Sequence, residues 1–123
     1  MSFFKKKIPD LNATHSKLCL PIINRIYTKM RVNIRFAEIK VVDRLICDGH
    51  HRYLASILAN YSIGRIKSVK TSAMNVIPWE SIFFEENDWD TDYKIKMLNE
   101  QDAVYNNIPL DELNALLKED VPL

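Results

Sequence analysis

The heptad Cys47-Asp48-Gly49-His50-His51-Arg52-Tyr53 gathers the residues of this chain best suited to chemistry, including two of its three histidines and one of its two glycines. A strand that ends in Asp-Gly and opens a helix leaves free N–H groups at the helix start. Those groups and the helix dipole favour an anion. Gly49 lets the backbone approach a ligand without a Cβ. Arg52 can make paired charge-assisted bonds to phosphate oxygens, and His50 and His51 can donate from either ring nitrogen. By its residues the heptad is a phosphate cradle. The plainer alternative is a polar turn in which Asp48 caps the helix and the histidines face solvent.

The elements that must position the heptad follow from hydrophobic period. Ile22, Ile23, Ile26, Tyr27 and Met30 fall at helical spacing over residues 20–30, with Pro21 suited to the first turn. The period then changes. Ile34, Phe36 and Glu38 alternate with Arg35, Ala37 and Ile39 and lead into Val41-Val42, which predicts a strand. Asp43-Arg44 suits a tight turn, and Leu45-Ile46-Cys47 the returning strand of a hairpin. From His51 the period is helical again, with Tyr53, Leu54, Ile57 and Leu58 as the apolar stripe and Asn60 and Gly64 marking its end. Residues 66–71 read as another strand, 78–84 as a short turn or helix burying its aromatics, and 85–92 as an acidic loop. Residues 92–105 and 110–118 read as two helices, the second with Leu110, Leu113, Leu116 and Leu117 on one side. With so few glycines, turns must rely on Asn, Asp, Ser and Pro. The expected fold class is α+β.

The chain has 123 residues, of which 47% are hydrophobic, which suits one domain spanning residues 1–123. No apolar run reaches the ~18 residues a membrane span needs. Cys19 and Cys47 are far apart and fit a reducing cytoplasm better than a disulfide framework. The net charge of +1 hides an asymmetry. Residues 1–77, a basic core, carry 14 Lys/Arg against 4 Asp/Glu, a balance of +10. Residues 78–123, an acidic helical extension, carry 3 against 12, a balance of −9. The basic part, including Lys5-Lys6-Lys7, suits a nucleotide or a nucleic acid. The acidic part suits a protein partner, or it folds back on the basic part. His15, isolated in sequence, is expected on the surface.

Ile46-Cys47-Asp48-Gly49-His50-His51-Arg52-Tyr53-Leu54-Ala55, preceded by a hairpin and followed by a strand, resembles the phosphate-binding motif of the ParB/sulfiredoxin superfamily. The D-G-H-H-R form is most similar to members that include free-serine kinases and ParB-like nucleases. The resemblance covers roughly residues 34–72. It implies a small domain with a mixed sheet, a phosphate-binding turn and helix, and a helical acidic C-terminal part. It also implies that Gly49, His50, His51 and Arg52 contact an ATP- or CTP-like nucleotide. Partition proteins of the superfamily have Gly-Glu-Arg-Arg at this turn and a DNA-binding region after it, for which the remaining residues are too few and too acidic. Sulfiredoxins have Gly-Cys-His-Arg, and His50 stands where their catalytic cysteine would be.

The first functional expectation is an enzyme that hydrolyses or transfers a nucleotide phosphate. Asp48, His50 and His51 are its candidate catalytic residues, Asp48 a candidate ligand for Mg2+, and Glu38 a candidate general base. The second is a nuclease or toxin acting on DNA or RNA. Its hairpin-histidine-helix order is similar to that of ββα-metal endonucleases. However, no histidine follows residue 51, and adjacent side chains on a helix point about 100° apart. The third is a non-enzymatic module regulated by a nucleotide.

Overall fold

The computed structural model describes residues 9–119, so Lys5-Lys6-Lys7 lies outside the described residues. The elements run β1 (Lys17–Cys19), α1 (Leu20–Arg31), β2 (Ile39–Val42), β3 (Leu45–Asp48), α2 (His50–Ala59), β4 (Arg65–Lys67), a 3-10 turn (Trp79–Ser81), β5 (Phe83–Glu85), α3 (Asp92–Tyr105) and α4 (Leu110–Glu119). One sheet has the order β3-β2-β4, with β2 antiparallel to β3 and parallel to β4. A second pairs β1 with β5 in parallel. The described residues thus form a small α+β domain with four helices and a mixed sheet. No helix among the described residues is long and apolar enough to cross a membrane.

Pro21 opens α1, where its missing N–H costs no helical bond, and Lys29 and Arg31 lie in the last turn against the negative end of the dipole. The helix ends at Asn33, which takes φ 68°. Asn33 N–H donates to Met30 O, and Ile34 N–H donates to Lys29 O. Two further helices close on the same device, α2 at Asn60 (φ 53°) and α3 at Asn107 (φ 55°). Asparagine takes the left-handed conformation that glycine usually supplies, because its short polar side chain tolerates it. The β2–β3 hairpin turns on Asp43 and Arg44, both at positive φ, the geometry whose twist matches paired strands.

The expected strand over 34–42 is shorter. Only Ile39–Val42 pairs in the sheet. Ile34 is drawn into the α1 terminus, and the main chain of Arg35 pairs with a side chain instead: Arg35 N–H donates to Asn106 Oδ1 at 2.6 Å, and Asn106 Nδ2 donates to Arg35 O at 3.0 Å. Glu38 therefore precedes the hairpin. The strand expected over 66–71 is reduced to Arg65–Lys67, the residues that face β2.

The main core joins Leu11, Leu18, Ile23, Ile39, Ile46, Tyr53 and Leu54, with α1 packed on α2. The expected stripe on α2 holds at Tyr53 and Leu54, which are buried, and at Ile57, which packs against this core, whereas Leu58 is exposed. Trp79 and Phe84 pack against this core, but Phe83 and Trp89 are exposed. A smaller cluster of Ile34, Ala103 and Leu113, with Leu110, Leu116 and Leu117 against it, ties α3 and α4 to the chain leaving α1.

Candidate functional site

A bulge steers β3 into the heptad. Lys40 faces Asp48 while Val41 faces Ile46, so Cys47 is the extra residue on its strand, and the strand end is re-aimed. Asp48 does not cap α2. Gly49 is the N-cap residue, at φ 105°, and no side chain caps the helix. A Cβ at Gly49 would lie 2.5 Å from Ile39 Cγ2 and 3.0 Å from an Arg52 terminal nitrogen. Only glycine meets both demands, the positive φ and the close approach.

The α2 start is the floor of a cleft of about 440 Å³, within the size range of small-molecule sites. Ile22, Arg25, Ile26 and Lys29, one face of α1, form a wall. Trp89, Asp90, Leu98 and Asp102 face them from the acidic loop and α3, and His15 and Phe36 complete the lining. Asp48, Gly49, His50, His51 and Arg52 all line this cleft. Glu38 does not. Its side chain lies over Gly64, and its carbonyl accepts a bond from Arg52 at 3.1 Å. Its contribution is to brace the guanidinium, which also stands 3.7 Å from Asp48.

The heptad histidines are neither solvated nor free to donate from either nitrogen. Thr14 N–H donates to His50 Nε2 and Cys19 N–H to His51 Nε2, each at 3.0 Å. A ring nitrogen that accepts an N–H bears no proton, so both neutral rings carry theirs on Nδ1. These bonds hold the 14–19 segment against α2. His50 is 3% exposed, and its Nδ1 has no hydrogen-bond partner among the described residues, nor does Arg52 Nε. A buried donor left in that condition costs about 1–3 kcal/mol unless a ligand satisfies it.

Burial pushes His50 down to about 3 and His51 to about 4, with the charge of neighbouring His15 acting the same way on both. Stability therefore depends on pH in a stated direction. Above the ordinary histidine value near 6.5, both rings are neutral folded and unfolded, and their contribution is complete. Below it the unfolded chain takes up protons that the folded chain refuses, so stability falls with pH until about 4 for His51 and about 3 for His50. Urea unfolding at pH 7.5 and pH 5.0 should show a loss on the order of 1–2 kcal/mol per ring. Equal midpoints would mean that these rings are not held neutral by the fold.

The chain matches no protein-family model, no curated protein and no solved structure.

The cleft's cations are already matched by carboxylates. Arg25 binds both oxygens of Asp88 and reaches Asp90 at 2.7 Å. Lys29 Nζ lies 2.6 Å from Asp102. The acidic segment thus folds back on the basic one. Among the described residues no group of three or more His, Cys, Asp or Glu is placed to hold a metal. Asp48, with its side chain 63% exposed, is the one heptad carboxylate that could hold a metal ion.

His15 is exposed, as expected, but sequence reasoning missed its contact with the site. Its ring stacks on that of His50, with centroids 4.1 Å apart and planes 15° apart. Nothing in its polar surroundings, Asn12 to Ser16, signals this contact, which depends on the 14–19 segment being pinned across α2. Trp89 belongs to the segment expected as an acidic loop. It stands edge-on to His51, with centroids 5.5 Å apart.

Proposed function

We propose that this protein is a ParB/sulfiredoxin-like nucleotide-binding domain that holds the phosphates of ATP or CTP at the start of α2 and hydrolyses or transfers the terminal one. The observation that carries this is the uncapped helix start behind Gly49, at the floor of a ligand-sized cleft. The N–H groups of the first turn and the helix dipole attract phosphate there. Arg52, braced by Glu38, supplies charge, and His50 Nδ1–H is a buried donor in want of an acceptor. Ile22, Ile26 and Phe36 line the same cleft and offer apolar surface to the rest of the ligand. His51 serves by holding Cys19. Phosphoryl transfer asks mainly for such positioning and charge stabilisation. Magnesium entering with the nucleotide would neutralise phosphate charge, with Asp48 as its protein ligand.

The nuclease alternative has no comparable support, since both heptad Nε2 atoms are committed to main-chain N–H groups. Calorimetry with Mg·ATP and Mg·CTP should show micromolar binding. Arg52→Ala should weaken it roughly tenfold or more, the worth of a charge-assisted bond. Binding no tighter than millimolar for both nucleotides would sink the reading.

A further inference from the structure

All three histidines of the chain line one cleft, and their roles differ. His50 and His51 are tied by Nε2 to main-chain N–H groups and cannot exchange that position with a substrate. His15 is exposed, lines the cleft with Gly49 and Arg52, and has no hydrogen bond from either ring nitrogen among the described residues. Its backbone follows Thr14, which His50 holds, and its ring lies flat on the His50 ring. One buried side chain thus fixes both its main chain and its plane.

We propose that His15 is the proton-transfer group of the cleft, an assignment that rests on the nucleotide-hydrolysing reading given above. In this step a water oxygen bonds to the terminal phosphorus as the bond from that phosphorus to the bridging oxygen breaks. The electron pair of the broken bond leaves with the nucleoside diphosphate. The water proton passes to the unprotonated ring nitrogen of His15 and then to solvent, and the products are nucleoside diphosphate and inorganic phosphate. His50 beneath the ring, tied by Nε2 to the Thr14 N–H, holds the His15 ring in its plane at the cleft. The charged groups facing the cleft are Asp48 and Arg52 on the turn, Arg25 and Lys29 on α1, and Asp90 and Asp102 opposite.

The test uses the full chain with Mg·ATP and Mg·CTP, following binding by calorimetry and turnover by phosphate release. His15→Ala should bind within about threefold of wild type yet release phosphate roughly 100-fold more slowly or worse, the usual share of a general base. Added imidazole should restore part of that rate, whereas a merely structural loss would not respond. His15→Asn should bind normally and stay slow. Wild-type turnover in His15→Ala, a loss that imidazole leaves unchanged, or a rate that falls only in step with affinity would each overturn the assignment. Wild-type protein that binds nucleotide but releases no phosphate overturns it as well, while the binding reading stands. Wild-type protein that binds neither nucleotide removes both.

Discussion

Gly49→Ala should be the most damaging single methyl in the protein. A non-glycine residue held in the left-handed region costs roughly 1–2 kcal/mol. The added Cβ would also sit 2.5 Å from Ile39 Cγ2, and Ile39 is fully buried, so relief must come from the sheet. Overpacking of this kind adds roughly 1–3 kcal/mol. Together these should lower the thermal midpoint by on the order of 10 °C, measured by circular dichroism. Phosphate affinity should fall further than stability alone explains, because the same Cβ crowds the Arg52 guanidinium at 3.0 Å. Gly64→Ala is the control. Its Cβ meets Glu38 Cγ at 2.8 Å, but φ there is not positive and the Glu38 side chain is exposed and able to swing away. It should cost less than about 1 kcal/mol. Equal midpoints for the two variants would refute the argument.

The second large effect is an asymmetry across one ion pair. Lys29 is 5% exposed and bonds to Asp102, which is more open to solvent. Removing the carboxylate leaves a buried ammonium without compensation. Asp102→Ala should therefore cost about 3 kcal/mol, at the lower end for a broken buried pair because Asp102 is partly wet. Lys29→Met keeps the length of the side chain and removes the charge to be desolvated. It should fall within about 1 kcal/mol of wild type. Urea unfolding of both variants decides the matter: comparable losses would mean that the pair, and not the burial of one charge, sets the cost. Lys29→Met also removes a cation from the cleft wall, so it should bind nucleotide more weakly while remaining folded.

Long elements were legible in the sequence because their periods repeat. Among the described residues α1, α2 and α4 lie where the spacing of apolar residues places them, α3 lies where the sequence places it without a comparable apolar stripe, and asparagine closes α1, α2 and α3 as a glycine-poor chain requires. The hairpin and the helix after Gly49 were legible for the same reason. The short parallel pair of β1 and β5 was not, since three residues hold too little alternation to register. Ile34 to Glu38 alternates like a strand but yields to Asn106, a residue some 70 positions away that satisfies the main chain of Arg35. The candidate site divides in the same way. Gly49 and Arg52 act locally and could be named from the heptad. What His50 and His51 do depends on Thr14 and Cys19, and what His15 meets depends on His50, and none of these contacts leaves a mark in local spacing.

The ion pairs that close the cleft give the chain's charge asymmetry a different meaning. Arg25, Lys29 and Arg52 face Asp48, Asp90 and Asp102 across one small volume, so the acidic half serves as a built-in counterion for the basic half. Under the proposed nucleotide-binding function, an incoming phosphate would exchange places with carboxylates of the same molecule instead of releasing a condensed cloud of salt ions. Its affinity should then vary far less steeply with ionic strength than that of an open basic groove, where each contacted phosphate contributes nearly one unit to the logarithmic salt slope.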